Sequence, residues 1–144
     1  LNSLVLLTAK LGGHLRYATP VDFPPSSRIL KRARHEARET QAVIEEFRDP
    51  RQAVKEADFV YTDVWVSMGE EKKGKAKVPS FLGFQVNREL LRHASKDVLV
   101  MHCLPAHRGE EITDDVLEGK SSIVFDQAEN RLHVQKAVLI HLCT

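Results

Sequence analysis

The most constraining feature of the chain is the stretch 98–108, which reads VLVMHCLPAHR. Residues 98–101 have the length and β-branched content of a strand that is buried on both faces, and the polar run after them, which contains a proline, ends it abruptly. In open α/β sheets, ligands bind just beyond the carboxyl ends of the strands. The sequence therefore predicts that His102, Cys103 and Leu104 lie where such a fold places its reactive groups.

Strand-like and helix-like patterns alternate along the whole chain. Strands are predicted at residues 14–19, 42–47, 59–62, 98–101 and 122–125. Helices are predicted at residues 1–11, 28–39, 50–57, 88–94, 113–117 and 128–142, with Asp49 and Asn87 as the N-caps of the third and the fourth. This alternation predicts an α/β fold, namely a doubly wound parallel sheet with helices on both faces, of the Rossmann-like type. The chain starts without Met inside an apolar helical pattern, which suggests a piece of something longer.

Composition excludes some classes of protein. With 144 residues the chain has the size of about one domain. Its net charge is +1, so the chain does not have the excess of basic residues that is typical of nucleic-acid binding. Because it contains no apolar run of about 18 residues and no signal-like segment, the sequence indicates neither a membrane nor a secretory route, and a cytoplasmic location is expected. The two cysteines, Cys103 and Cys143, are expected to be free thiols.

The predicted helix 28–39 is rich in basic residues, which raises the question of a nucleic-acid surface. A thin apolar stripe and two glutamates on the same helix favour a solvated face instead. The basic residues are Arg28, Lys31, Arg32, Arg34, His35 and Arg38.

Cys103 has several possible roles when the sequence is taken alone. It could be a nucleophile, a metal ligand, a polar group that faces a substrate, or a small buried residue, and the buried thiol is the most common of these. A zinc site would use His102, Cys103 and His107, but the spacing supplies no fourth ligand. A Cys–His protease is disfavoured because a family-type local signature is missing.

Asp63 and Arg131 are further candidates for binding a charged ligand. Asp63 follows the strand 59–62, where a carboxylate can hold an ammonium group; the alternative is a helix or turn cap. Arg131 falls near the start of the predicted last helix, where the guanidinium and the backbone N–H groups together suit an anionic or strongly polar ligand. The alternative for Arg131 is a surface ion pair with Glu129 or Asp126.

The polar stretch 67–84 combines glycines with dense charge and has the length that is associated with lids. We expect it to close when a substrate arrives, with Ser67 and Met68 at its base gripping that substrate. The alternative is a permanently ordered surface loop packed by Val78, Phe81 and Leu82.

Several motifs taken together resemble the ornithine carbamoyltransferases of the aspartate/ornithine carbamoyltransferase family. The resemblance extends over essentially all of the chain and is specific. The motifs are TDVWVSMG at 62–69, HCLP at 102–105, RGEE at 108–111, AENR at 128–131, NSL at 2–4 and ATP at 18–20.

The resemblance implies an activity: transfer of the carbamoyl group from carbamoyl phosphate to the δ-amino group of L-ornithine, which gives L-citrulline and phosphate. It implies no metal and no organic cofactor. In this family the corresponding residues would make Asp63, Ser67 and Met68 the ornithine-binding set. Cys103 and Leu104 would contact both substrates, and Arg131 would polarise the carbamoyl carbonyl of carbamoyl phosphate.

The resemblance also implies what else the whole protein contains. Residues 1–144 correspond to the second, ornithine-binding domain, so a carbamoyl-phosphate domain with an S-x-R-T motif and a first strand of the sheet are expected outside this sequence. A full-length homotrimer is implied. Other acceptors, such as N-acetylornithine or putrescine, and a non-catalytic amino-acid-binding fragment remain alternatives. A dinucleotide-binding module is disfavoured because no G-x-G-x-x-G motif follows a strand.

Overall fold

The computed structural model describes residues 1–66, 69, 74 and 76–143. The chain divides into two compact units, Leu1–Val54 and Lys55–Thr144. Among the described residues, each unit contains one pair of hydrogen-bonded parallel strands. The predicted α/β class with parallel strands is therefore confirmed.

The first unit contains three helices and two strands. In chain order they are α1 (Asn2–Leu11), β1 (His14–Ala18), α2 (Ser27–Thr40), β2 (Val43–Phe47) and α3 (Pro50–Ala53). Strands β1 and β2 pair in parallel, with His14 opposite Val43 and Ala18 opposite Phe47.

The core of the first unit lies where α1 packs on α2. Val5 and Ala9 of α1 and Ala33 of α2 have no exposed surface. Gly12 ends α1 in the left-handed region at φ 72°, and its N–H donates to the carbonyl of Thr8. A Cβ at Gly12 would lie 2.9 Å from the carbonyl oxygen of Thr40, so glycine is required there both for its conformation and for the close approach.

The basic residues of α2 are exposed, as the interpretation of a solvated face predicts. Ala33 is the one buried residue of this helix. Glu36 on the same helix lies 3.7 Å from Arg32 and 3.5 Å from Lys10 of α1, which partly neutralises the basic surface.

The second unit carries the predicted site. Its described elements are β3 (Phe59–Thr62), α4 (Val78–Phe81), α5 (Arg88–Leu91), β4 (Leu99–His102), α6 (Asp114–Leu117) and α7 (Val124–Cys143). Strands β3 and β4 pair in parallel and in register, so Phe59 lies opposite Leu99 and Thr62 lies opposite His102. Val60 and Val100, in the middle of the two strands, are buried.

The prediction of a strand at 122–125 is wrong. Ser122 forms one isolated bridge with Val100 of β4, and helix α7 begins at Val124, four residues before the start predicted at Ala128. A short apolar run fits a strand and a buried helical turn equally well, and here the first turn of a 20-residue helix uses it. The apolar positions predicted for this helix, Leu132, Leu139 and Leu142, are exposed.

Two predicted helix starts are confirmed by their caps. The carboxylate of Asp49 accepts a hydrogen bond from the N–H of Arg51 at 2.9 Å, and the side chain of Asn87 accepts one from the N–H of Leu90 at 3.0 Å. Both helices are shorter than predicted, since α3 ends at Ala53 and α5 ends at Leu91. Among the residues described, no helix has both the length and the apolar character needed to cross a membrane.

Candidate active site at the ends of strands β3 and β4

The register of the two strands explains how two of the predicted site residues meet. Asp63 directly follows β3 and Cys103 directly follows β4. Because Thr62 and His102 are paired at the strand ends, the next residue of each strand lies at the same edge of the sheet. Cys103 Sγ lies 3.0 Å from Asp63 Oδ1 and donates a hydrogen bond to it.

Burial and the contact with Asp63 both favour the thiol form of Cys103. Cys103 is exposed as a residue, but partial burial of the sulfur raises the pKa of its thiol, and the hydrogen bond and negative charge of Asp63 raise it further. Asp63 Oδ1 also accepts a hydrogen bond from the N–H of Val64 at 2.8 Å. The site therefore presents a carboxylate and a neutral thiol side by side.

Tyr61 and Gln127 belong to the same network, and the sequence did not single out either of them. Gln127 Nε2 donates to the hydroxyl of Tyr61 at 3.2 Å, and Gln127 Oε1 accepts from the N–H of His102 at 3.1 Å. Tyr61 also forms a hydrogen bond with Cys103. This bond lowers the pKa of the thiol, whereas the larger effects of burial and of Asp63 raise it. One sequence signal pointed to Tyr61, because it lies two residues before Asp63 and alternate residues of a strand share a face.

His102 holds the turn after β4 and is not itself available for chemistry. Its ring is fully buried, its Nδ1 accepts a hydrogen bond from the N–H of Leu104 at 2.8 Å, and its Nε2 lies 3.0 Å from Glu111 Oε1. Since Nδ1 is an acceptor, the ring hydrogen is on Nε2 and is donated to Glu111. Both ring nitrogens are occupied, which argues against the zinc site of His102, Cys103 and His107.

Glu111 anchors the other side of that turn. Its Oε1 also accepts a hydrogen bond from the N–H of His107 at 2.6 Å, and the residue has no exposed surface. Leu104, between these contacts, is in the left-handed region at φ 53° and is followed by a cis peptide bond to Pro105. The sequence missed Glu111 as a positioning residue, although it lies inside the RGEE motif at 108–111.

Arg131 lies two turns into α7, which corrects its predicted position near the start of a helix. Because α7 begins at Val124, its unpaired N–H groups are those of the first turn. They lie too far from Arg131 to bind one ligand together with its guanidinium. Arg131 is exposed and follows Gln127 by four residues, so the two side chains share one face of α7. Neither of the predicted ion pairs, with Glu129 or with Asp126, is among the salt bridges of the described residues.

Ser67 and Met68, the other predicted ornithine-binding residues, lie outside the described residues, as does much of the predicted lid. Near the end of that stretch, Phe81 of α4 stacks on Trp65 with ring centroids 5.8 Å apart. Closure of the stretch 67–84 stays a prediction.

A metal-type cluster occurs beside the site. Within the described part of the chain, His107, Glu110 and Glu111 place ligand-type atoms within 4.8 Å of one another. Part of this cluster is already engaged, because Glu111 Oε1 accepts two hydrogen bonds and His107 pairs with Glu110 at 3.7 Å, whereas Glu111 Oε2 is buried without a hydrogen-bond partner.

The second unit also has a surface concavity, and neither Asp63 nor Cys103 is among its lining residues. Its lining includes Trp65, Leu82, Gln85, Asn87 and Glu110.

The fold and the site together define an α/β protein with a thiol and a carboxylate at the carboxyl ends of adjacent parallel strands. Residues 1–142 match the family described as "Aspartate/ornithine carbamoyltransferase, Asp/Orn binding domain". The chain belongs to this family.

Similar proteins agree with this assignment. The ornithine carbamoyltransferase of Archaeoglobus fulgidus is 54% identical over 141 residues, which are 98% of this chain and 45% of that protein. The solved ornithine carbamoyltransferase of Pyrococcus furiosus has a TM-score of 0.89 and 50% identity over 96% of this chain and 44% of the other. The solved anabolic ornithine carbamoyltransferase of Campylobacter jejuni has a TM-score of 0.93 and 38% identity, with coverages of 98% and 46%. The chain thus spans a little under half the length of these relatives.

Proposed function

We propose that this chain forms the acceptor side of an enzyme that transfers the carbamoyl group of carbamoyl phosphate to the δ-amino group of L-ornithine. The products are L-citrulline and phosphate, and the direction is biosynthetic, as in the Campylobacter jejuni relative whose name includes the word anabolic. The observation that carries the proposal is the contact of Asp63 with Cys103 at the paired strand ends. In this proposal residues 1–144 are the ornithine-binding domain.

Asp63 is suited to receive the amino group of ornithine. An alkyl ammonium is protonated at neutral pH, and it has to lose a proton before its nitrogen can attack a carbonyl carbon. A carboxylate stabilises the ammonium when it binds and takes the proton that the amine loses as it reacts. Asp63 is exposed at the strand edge, so a ligand can reach its oxygens.

Cys103 acts in this proposal by positioning and by handling a proton, and not as a nucleophile. The raised pKa of its thiol disfavours the thiolate that nucleophilic attack requires. Its S–H bond to Asp63 is the interaction that an incoming ammonium replaces. No covalent intermediate with the enzyme is needed, because the amine attacks the carbamoyl carbon directly.

Arg131 and Leu104 would serve the carbamoyl phosphate. A guanidinium beside the carbamoyl carbonyl stabilises the negative charge that builds on its oxygen during attack. Arg131 is an exposed cation one turn beyond Gln127, and Gln127 contacts the end of β4. Leu104 lies in the turn that His102 and Glu111 hold, where its backbone is fixed next to Cys103.

The remaining roles rest on the family resemblance. Ser67 and Met68 would bind ornithine together with Asp63. We expect the whole protein to be a cytoplasmic homotrimer that acts on these two small molecules, with no cofactor, no metal, no nucleic acid and no membrane as partner.

A chimeric enzyme tests the proposal. This chain replaces the matching 45% of the Archaeoglobus fulgidus protein, to which it is 54% identical. The chimera is then assayed for carbamoyl transfer from carbamoyl phosphate to ornithine, N-acetylornithine, putrescine and aspartate. We expect citrulline from ornithine, and much lower kcat/KM for the other three acceptors.

The matched control is the same chimera with Asp58→Asn, because Asp58 is an exposed carboxylate at the other end of β3. It should retain the activity, whereas Asp63→Asn should lose most of it. Preference for another acceptor would reassign the substrate, and a folded chimera without any transfer would contradict the proposal.

A further inference from the structure

We propose that Gln127 is a positioning residue that turns the hydroxyl of Tyr61 towards Cys103, so that one directed hydrogen-bond chain runs from the backbone of β4 to the carboxylate of Asp63. The chain of bonds passes through Gln127, Tyr61 and Cys103 in that order. Its importance for carbamoyl transfer rests on the proposed function, whereas its direction follows from the donors and acceptors alone.

The direction is fixed at its start by the backbone. The N–H of His102 can only donate, so the atom of Gln127 that lies 3.1 Å away must be the carbonyl oxygen Oε1. The amide nitrogen of Gln127 therefore faces Tyr61, at 3.2 Å from its hydroxyl oxygen. Because the lone pair of an amide nitrogen is delocalised into the carbonyl group, that nitrogen can only donate, and Tyr61 accepts.

The rest of the chain follows from this first step. The hydroxyl oxygen of Tyr61 has one hydrogen, and with the amide of Gln127 as donor on one side that hydrogen is donated to the sulfur of Cys103. The thiol hydrogen is in turn donated to Asp63 at 3.0 Å, since an ionised carboxylate can only accept. Each group thus donates to the next one towards the substrate side.

The surroundings of Cys103 favour such a device. Asp63 and Tyr61, the titratable groups that act on the thiol, both come from β3 and the residue after it. Their effects on the pKa of the thiol are opposite, since the carboxylate raises it and the tyrosine hydroxyl lowers it. From α7 the neutral amide of Gln127 completes the network, and the adjacent ring of His102 is engaged by Glu111.

The direction of the chain is testable by the reactivity of the Cys103 thiol. Cys143→Ser leaves Cys103 as the single cysteine, and the rate of its alkylation by iodoacetamide is measured across pH. Gln127→Glu conserves volume but replaces the donor by an acceptor, which turns the hydrogen of Tyr61 away from the sulfur. Tyr61→Phe removes that hydrogen outright. Gln135→Glu is the control, because it makes the same change at an exposed position of α7.

We expect Tyr61→Phe and Gln127→Glu each to slow alkylation about three- to tenfold at any pH below the midpoint of the thiol titration. The reason is that loss of a hydrogen-bond donor to the thiolate raises the pKa of Cys103. Gln135→Glu should leave the profile unchanged. Fluorescence of Trp65, the only tryptophan, checks that each variant is folded.

A double variant separates the redirected hydrogen from the added charge. In the Tyr61→Phe background there is no hydroxyl to turn, so Gln127→Glu should slow alkylation by less than it does with Tyr61 present. An equal slowing in both backgrounds would mean that charge alone acts and would overturn the proposal. Faster or unchanged alkylation in folded Tyr61→Phe would overturn it as well.

Discussion

Glu111 Oε1 accepts a hydrogen bond from Nε2 of His102 at 3.0 Å, and neither side chain has any exposed surface. The same oxygen accepts from the N–H of His107, so a single buried atom ties both ends of the turn that presents Cys103 and Leu104. The position of the candidate site therefore depends on a pair of fully buried residues.

Removing the acceptor should destabilise the second unit. Glu111→Ala leaves the donors of His102 and His107 without a partner, and each such loss typically costs about 1 to 3 kcal/mol. Urea unfolding followed by Trp65 fluorescence measures the change, since this tryptophan lies in the second unit. Glu110→Ala is the control: that side chain is 47% exposed and should cost less than about 0.5 kcal/mol. Equal losses in the two variants would argue against a structural role for the buried pair.

The contact of Cys103 with Asp63 predicts a reactivity that depends on charge. After partial burial, the hydrogen bond and charge of Asp63 are the next largest causes of the raised thiol pKa. Asp63→Asn should therefore lower the pKa of Cys103, increase the thiolate fraction at a given pH below the midpoint, and speed alkylation at pH 8. Asp58→Asn, with its exposed side chain at the start of β3, should change nothing. Slower alkylation after Asp63→Asn would contradict the effect assigned to Asp63, which is to raise the pKa of the Cys103 thiol.

The sequence predicted the central features of the site because they depend on local patterns. A short apolar strand followed by a polar break placed Cys103 at a strand end, and the same pattern placed Asp63. The caps at Asp49 and Asn87 were predictable for a similar reason, since a capping side chain bonds to an N–H two or three residues further on.

Features that depend on distant contacts were not predictable from the sequence. The apolar residues at 123–125 fit a strand by length, and only their placement in α7 resolved the ambiguity. Gln127 meets Tyr61 across 66 positions of the chain, and no periodicity signals such a pair. The early start of α7 also changed the interpretation of Arg131 from a helix-terminal cation to one in the second turn.

The isolated 144-residue chain should form no measurable citrulline from ornithine and carbamoyl phosphate. Positioning of two substrates supplies much of the rate in such a transfer, and the resemblance assigns the phosphate-binding groups to a part of the protein outside this sequence. A sensitive colorimetric assay for citrulline checks this, with the chimera as the positive control. Citrulline formed by the purified chain alone would show that the acceptor side is sufficient.

The most direct test of the central claim, that Asp63 receives the amino-acid substrate, is a kinetic comparison of the chimera with its Asp63→Asn variant. Loss of a charge-assisted hydrogen bond to ornithine should lower kcat/KM for ornithine about ten- to a hundredfold, which corresponds to roughly 1.5 to 3 kcal/mol. The Kd of carbamoyl phosphate, measured by calorimetry, should stay within about twofold, since the carboxylate is expected to contact the amino-acid substrate alone. Equal losses for the two substrates, or an unchanged kcat/KM for ornithine, would contradict the claim.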